Sequence, residues 1–122
     1  MSQIKSNKSN FVILTLQAGA DGEARVSASG KPWASVRAFY SQGKDQTGEF
    51  RPSIWLQVKA FSESDEMSKS VSALSEISKG DKFTVKGRLG LEAWTTQSGE
   101  ERSSLVIFAN EIEPFADEMD EP

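Results

Sequence analysis

The sequence predicts an all-β protein, a five-stranded Greek-key barrel with one helix between strands 3 and 4. Three observations predict this fold class. Short segments alternate apolar with polar residues, which is the period of a strand that is buried on one face only. One run of apolar residues at helical spacing separates the third of these segments from the fourth. The chain of 122 residues is also long enough for one domain with a substantial core.

The first two strands are predicted in the N-terminal third of the chain. Phe11 to Leu16 forms the first strand, and a turn follows at Gly19 to Gly22. The second strand runs from Trp33 to Tyr40, with small or apolar residues on its inner side. Since Phe39 and Tyr40 are consecutive, at least one of them is expected in the core. The outer side carries Trp33, Ser35, Arg37 and Phe39.

The third strand, Ser53 to Phe61, follows a polar loop and has two contrasting faces. The inner face is predicted to be ordinary core, made of Ile54, Leu56, Val58 and Ala60. The outer face carries Trp55, Gln57, Lys59 and Phe61. Two aromatics on either side of an amide and a cation make poor core. They make a good surface for stacking nucleobases beside a charged backbone.

A helix is predicted after the third strand. Ser62 or Ser64 would cap it, with acidic residues in the first turn, and Gly80 would end it. Its buried stripe, at helical spacing, is Met67, Val71, Leu74 and Ile77.

The fourth strand, Lys82 to Leu91, is predicted to direct Phe83, Val85 and Leu89 inward and Thr84, Lys86 and Arg88 outward. Gly87 on the inward side indicates a bend or a close approach of two backbones. A hairpin loop spans Thr95 to Arg102. The fifth strand runs from Ser103 to about Ile112, and Pro114 ends it.

This order of elements is typical of the oligonucleotide/oligosaccharide-binding (OB) fold, a Greek-key barrel of five strands. In such barrels, strands 2 and 3 and the loops between strands 1–2 and 4–5 form the ligand surface. The outward aromatics and cations of strands 2 and 3 therefore lie where a ligand is expected.

The composition argues against catalysis and against a cofactor. The chain has no Cys and no His, so it lacks thiolate chemistry and the commonest general base and metal ligand. It has no glycine-rich phosphate-binding loop, no acidic calcium loop and no Ser–His pair. The longest apolar run is too short to cross a membrane, and the polar N-terminus has no signal-like core. We expect a cytoplasmic protein with no metal site.

The charge is distributed unevenly along the chain. The net charge is −4, but six of the eighteen acidic residues lie at or beyond Glu111. Residues 1–110 therefore carry a net charge of +2. We predict a flexible N-terminus (1–9), one domain (10–113) and an acidic flexible tail (114–122). The tail has three open interpretations: solvated disorder, recruitment of partner proteins through basic patches on their surfaces, or occupation of a nucleic-acid groove, as a polyanion mimic, while the nucleic acid is absent.

Several segments together resemble the bacterial-type single-stranded DNA-binding protein family, over roughly Asn10 to Glu111. Their order, their spacing and the placement of three aromatics carry the resemblance. The segments are Thr47-Gly48-Glu49, Trp55, Phe61, Lys79-Gly80-Asp81, Gly87-Arg88-Leu89, Trp94-Thr95, Gln97-Ser98-Gly99-Glu100-Glu101-Arg102 and Ala109-Asn110-Glu111.

The resemblance implies binding of single-stranded DNA, with Trp55, Phe61 and Trp94 at the positions of the family's stacking aromatics. It also implies a homo-oligomer, a dimer or a tetramer. The chain departs from the family at Gln42, which stands where the family has another stacking Trp in the strand 2–3 hairpin and for which Phe39 or Tyr40 is the candidate substitute. It also departs at Leu56-Gln57, which replaces His-Arg. The short tail differs from the family's long linker, as would fit a compact, phage- or plasmid-encoded member.

We therefore expect sequence-tolerant binding and protection of single-stranded DNA in replication, recombination or repair. The expected stacking residues are Trp55, Phe61, Trp94, Trp33 and Phe39, and the expected phosphate contacts are Arg37, Lys59, Lys86 and Arg88. Each has a structural alternative: a subunit interface for Trp55 and Phe61, a brace of the hairpin for Trp94, a cap of the barrel for Trp33, and a solvated face for the cations. The competing functions are an OB-fold protein–protein module of a replication or repair complex, and RNA binding.

Overall fold

The computed structural model describes residues 9–114, which form six strands and one helix. The strands are β1 (Val12–Ala18), β2 (Glu23–Val26), β3 (Pro32–Tyr40), β4 (Ile54–Phe61), β5 (Lys82–Thr95) and β6 (Glu101–Pro114). The helix α1 (Lys69–Ser75) lies between β4 and β5. Apart from Ser9 and Pro114, the N-terminal segment and the acidic tail that the sequence predicts lie outside the described residues.

Five of these strands close into a ring. The sheet order is β1-β5-β6-β4-β3-β2, and β1 pairs with β3 as well as with β5. The β4–β6 pairing is parallel, and the other pairings are antiparallel. The predicted OB barrel with a helix between its third and fourth strands is thus confirmed, with β3, β4, β5 and β6 as its strands 2 to 5.

The short strand β2 was not predicted. Its residues alternate polar and apolar, but the strand is only four residues long, too short for the alternation to indicate a strand, and all four residues are exposed. It forms because it pairs with β3 along its whole length, from Glu23 opposite Ser35 to Val26 opposite Pro32.

The core follows the predicted inner faces of the strands, with two exceptions. Leu56, Val58 and Ala60 are buried, but Ile54 is 36 % exposed because β4 begins there. Leu89, predicted to face inward, is 40 % exposed. The β1–β5 pairing ends with Val12 opposite Gly87, so beyond that point β5 pairs with β6 alone and extends past the barrel wall.

Gly87 lies at a close approach of two backbones, as predicted. The β5–β6 register shifts between Lys86 and Gly87, where β6 has one extra residue, Asn110. A Cβ atom on Gly87 would stand 2.1 Å from the carbonyl oxygen of Phe108. No other residue type fits between these two strands without moving one of them.

The prediction of the helix boundaries was wrong at both ends. Ser68, not Ser62 or Ser64, caps the helix, because its Oγ accepts the Val71 N–H at 3.2 Å. Ser62 is instead buried, and its Oγ accepts the Ser68 N–H at 2.9 Å. The first turn has no acidic residue, and Met67 precedes the helix and is half exposed.

At the other end the helix stops at Ser75, so Gly80 belongs to the following turn, where it adopts a φ of 94°. Val71, Leu74 and Ile77 of the predicted stripe do lie in the core. No helix in the described part of the chain is long and apolar enough to cross a bilayer.

Candidate nucleic-acid interface

The register of β3 and β4 places two pairs of aromatic residues on the outer face of the barrel. Trp33 lies opposite Phe61, and Phe39 lies opposite Trp55. Their rings meet across the strands, with centroids 5.6 Å apart in the first pair and 4.9 Å apart in the second. Both distances are typical of favourable aromatic contacts. Tyr40, the neighbour of Phe39, packs against the core, as the alternation predicts.

The first pair extends into a row of three rings, here called the ladder: Trp33, Phe61 and Phe108. Phe108 joins it because β4 and β6 are parallel, which places Phe108 beside Lys59. The Phe61 and Phe108 centroids are 6.3 Å apart, and the rings are stacked in both contacts.

Arginines cover the two ends of the ladder. The Arg88 guanidinium lies 4.5 Å from the Phe108 ring centroid, and the Arg25 guanidinium lies 5.7 Å from that of Trp33. Lys59 Nζ is also 5.6 Å from the Trp33 ring. The ladder therefore combines aromatic surface with three cations, each at a distance where cation–π attraction is felt.

Trp55 of the second pair borders an open groove of about 470 Å³, here called the tryptophan groove. Trp55 and Trp94 both line it, and the two indoles are 45 % and 49 % exposed. The polar groups of the groove come from Arg37, Gln57, Arg102, Ser103 and Ser104. The Arg37 guanidinium lies 4.6 Å from the Trp55 ring centroid, so a cation already stands beside that ring.

Two glycines make room for the outer rings. A Cβ atom on Gly19 would stand 2.5 Å from Cζ3 of Trp55, and one on Gly90 would stand 2.8 Å from Cε2 of Phe108. Both distances are too short for real atoms, so the rings occupy these positions only because the side chains are absent. The sequence marks Gly19 only as part of a turn.

The candidate phosphate ligands differ in what they already contact. Arg37 and Arg88 lie over rings. Lys59 Nζ lies 2.8 Å from Glu92 Oε1, and Lys86 Nζ lies 3.3 Å from Glu111 Oε1. Lys86 is also beyond the Gly87 irregularity, farther along β5 from the ladder. The structure thus brings Arg37, Lys59 and Arg88 to the aromatic residues.

The β3–β4 hairpin adds a site that the sequence did not reveal. Phe50 is 71 % exposed there, with Lys44 Nζ 5.0 Å from its ring centroid. Asp45 orders the hairpin: its Oδ1 accepts the Thr47 hydroxyl at 2.6 Å and the Thr47 and Glu49 amides. These hydrogen bonds, led by that from the Thr47 side chain, hold the pKa of Asp45 below its usual value.

Gln42, which stands near the position of a family stacking Trp, has a structural contact. Its side-chain amide donates to the carbonyl of Pro52 at 2.7 Å, joining the two sides of the hairpin base. Residues 9–114 contain no group of three or more acidic side chains that would hold a metal ion.

The Single-strand binding protein family matches residues 9–115. Relatives called single-stranded DNA-binding protein include one from Helicobacter hepaticus, 33 % identical over 109 residues, which are 85 % of this chain and 59 % of that protein. One from Rhizobium meliloti is 35 % identical over 101 residues, 80 % of this chain and 56 % of that protein. The chain therefore spans less than two thirds of the length of these relatives.

The fold has a solved counterpart in the small single-stranded DNA-binding protein from Streptomyces coelicolor. The TM-score is 0.71 at 19 % identity, over 89 % of this chain and 96 % of that one. Since the family match spans all the described residues, this chain belongs to the single-strand binding protein family.

Proposed function

We propose that this protein binds single-stranded DNA with little dependence on sequence, and so keeps exposed strands unpaired and protected during replication, recombination or repair. Membership of the family and the names of its relatives support this function. The nucleoid, where such strands are exposed, is the expected place of action.

The observation that carries the proposal is the row of aromatic rings and cations on the outer faces of β3 and β4. Each exposed ring offers a base a stacking surface that contributes about 1–3 kcal/mol whatever the base. Cations beside the rings neutralise phosphates and release counterions, which makes the affinity fall as salt rises. Trp55 and Phe61 supply the rings, and Arg37 and Lys59 stand next to them.

The protein acts by binding alone. Most of the proposed interface consists of rings, guanidinium groups and lysines, and the whole chain lacks His and Cys. We assign it no catalytic step. The other candidate function is an OB-fold protein–protein module. Nucleic-acid binding explains every feature of the interface, so no observation there favours this second candidate.

We also propose that the protein works as a homo-oligomer. Large apolar side chains are exposed around the β1–β5 pair, on β1, just before it and on the part of β5 beyond the pairing: Ile13, Phe11 and Leu89. One edge of β1 pairs with β5, whereas its other edge pairs with β3 only at Gln17 and Ala18. A second copy fits this combination of free strand edge and apolar surface. Light scattering after gel filtration tests it, and a monomer at all concentrations would refute it.

Titration with a poly-pyrimidine DNA strand tests the main proposal. Stacking should quench tryptophan fluorescence, and the affinity should fall as salt rises. A duplex of the same length should bind much more weakly, and a matched RNA strand shows whether the sugar matters. No change in fluorescence or gel mobility at low salt would contradict DNA binding and favour a protein–protein module.

Trp55→Ala should weaken strand binding by about 1–3 kcal/mol while leaving the fold intact, because the ring lies outside the core. Met67→Ala is the matched control, since Met67 is equally exposed but precedes the helix. Equal affinities of the two variants for the strand would show that Trp55 does not take part in binding.

A further inference from the structure

Glu92 lies in the middle of the proposed interface. Because alternate residues of a strand share a face, β5 presents Arg88, Gly90, Glu92 and Trp94 on one side. Arg88 covers one end of the ladder, and Trp94 lines the tryptophan groove. A strand that passes from the ladder to the groove along β5 must therefore cross the carboxylate.

Glu92 also holds a cation that the interface needs. Its Oε1 accepts from Lys59 Nζ at 2.8 Å, and the two side chains are 38 % and 20 % exposed. The same Nζ lies 5.6 Å from the Trp33 ring. Lys59 is therefore divided between the ladder and an internal anion, and it meets a phosphate fully only if the ion pair opens.

We propose that Glu92 competes with the phosphates of a bound strand for Lys59. This internal competition sets the affinity and the salt dependence of strand binding. This inference depends on the proposed function. Glu92 occupies Lys59 while no strand is bound, and a phosphate replaces it on binding. An anion that binds only through its charge does not compensate for the loss of the Lys59–Glu92 ion pair. A single strand does, because its bases also stack on the rings. Glu92 thus raises selectivity for unpaired strands over other polyanions.

When a phosphate replaces the Glu92 carboxylate at Lys59, the net number of salt ions released on binding changes, and this number can be measured. When phosphate takes Lys59, the released Glu92 carboxylate attracts a cation from solution, which offsets the counterion that the phosphate gives up. Replacing Glu92 by glutamine removes this offset. The log–log slope of affinity against salt should then become steeper, by at most about 0.7, the increment for one full phosphate contact on a single strand.

The experiment compares Glu92→Gln with wild type in titrations of a poly-thymidine strand over a range of salt. We expect affinity to rise roughly three- to fivefold at low salt, the fold-change for an exposed ion pair, together with the steeper slope. Glu76→Gln removes the same charge at the end of α1 and should change neither quantity. On a Lys59→Gln background the benefit of Glu92→Gln should disappear.

Three results would overturn the inference: no difference between Glu92→Gln and Glu76→Gln, weaker binding by Glu92→Gln, or a benefit that persists without Lys59. Weaker binding with a lowered melting temperature would show that Glu92 only positions Lys59. If wild type fails to bind the strand, the proposed function itself fails. If wild type binds and Glu92→Gln does not differ, only the role of Glu92 is refuted.

Discussion

The ladder and the tryptophan groove use the same residue types in different arrangements. In the ladder, Phe61 stacks between Trp33 and Phe108, and arginines cover the outer rings. In the groove, Trp55 and Trp94 border open space. A base that stacks on Trp33 or Phe108 at the ends of the ladder must displace a guanidinium, whereas a base that enters the groove meets Arg37 at Trp55 and open space beside Trp94.

This difference gives the two regions different roles: the ladder contributes to stability, and the groove contributes to binding. Contacts between rings stabilise the outer face by roughly 0.5–1.5 kcal/mol per pair beyond burial, so the ladder fixes β3, β4 and β6 relative to one another. In the groove, Trp55 contacts Phe39, but the exposed parts of Trp55 and Trp94 still border open space. We therefore expect the groove to dominate affinity, and the ladder to add the cations and part of the stability.

The largest expected effect comes from removing both groove rings. Trp55→Ala with Trp94→Ala should weaken binding by roughly 2–6 kcal/mol if the two rings act independently. Phe61→Ala should cost about 1 kcal/mol of binding and lower the melting temperature, because it interrupts the ladder. Anisotropy of a labelled strand measures binding without relying on the mutated tryptophans. An equal loss in both variants would end the distinction between the two regions.

Much of the outer face of the barrel was predictable from the sequence, because it follows from the alternation of side chains along each strand. The outer positions of Trp33, Phe39, Trp55 and Phe61 need only a strand and a period of two. The face of Phe108 was not predictable, since Val106, Ile107 and Phe108 are consecutive apolar residues. Its face is decided by the parallel β4–β6 pairing, which involves residues distant in the chain.

Other features depend on tertiary geometry that no local pattern contains. Glu92 lies beyond the predicted end of its strand at Leu91, because β5 continues to Thr95 as part of a long hairpin with β6. Arg25 belongs to β2, a strand that exists only through its pairing with β3. The contact of Gly19 with Trp55 joins a turn to a distant strand.

Substitution of Gly19 or Gly90 should have an intermediate effect on strand binding. The two variants distinguish the groove from the ladder without removing a ring. Gly19→Ala must move the Trp55 indole, so binding should weaken by roughly 1 kcal/mol, a part of one stacking increment. Gly90→Ala must move the Phe108 ring in the ladder and should weaken binding less. Strand titrations and melting curves of both variants check this order. A larger binding loss for Gly90→Ala would make the ladder the principal stacking surface.

The smallest expected effect lies in the β3–β4 hairpin, at Asp45. Hydrogen bonds from Thr47 and Glu49 keep the pKa of this carboxyl below its ordinary value of 3.8, so they favour the folded hairpin above that pH. The stabilisation is lost as pH falls through the lowered pKa. Protection of the Thr47 and Glu49 amides from hydrogen exchange should thus be constant near neutrality and decline only below pH 3.8. In Asp45→Ala it should be low at every pH, while the Trp55 amide in β4 keeps its protection. Unchanged protection in that variant would mean that the turn, not the carboxylate, orders the hairpin that presents Phe50.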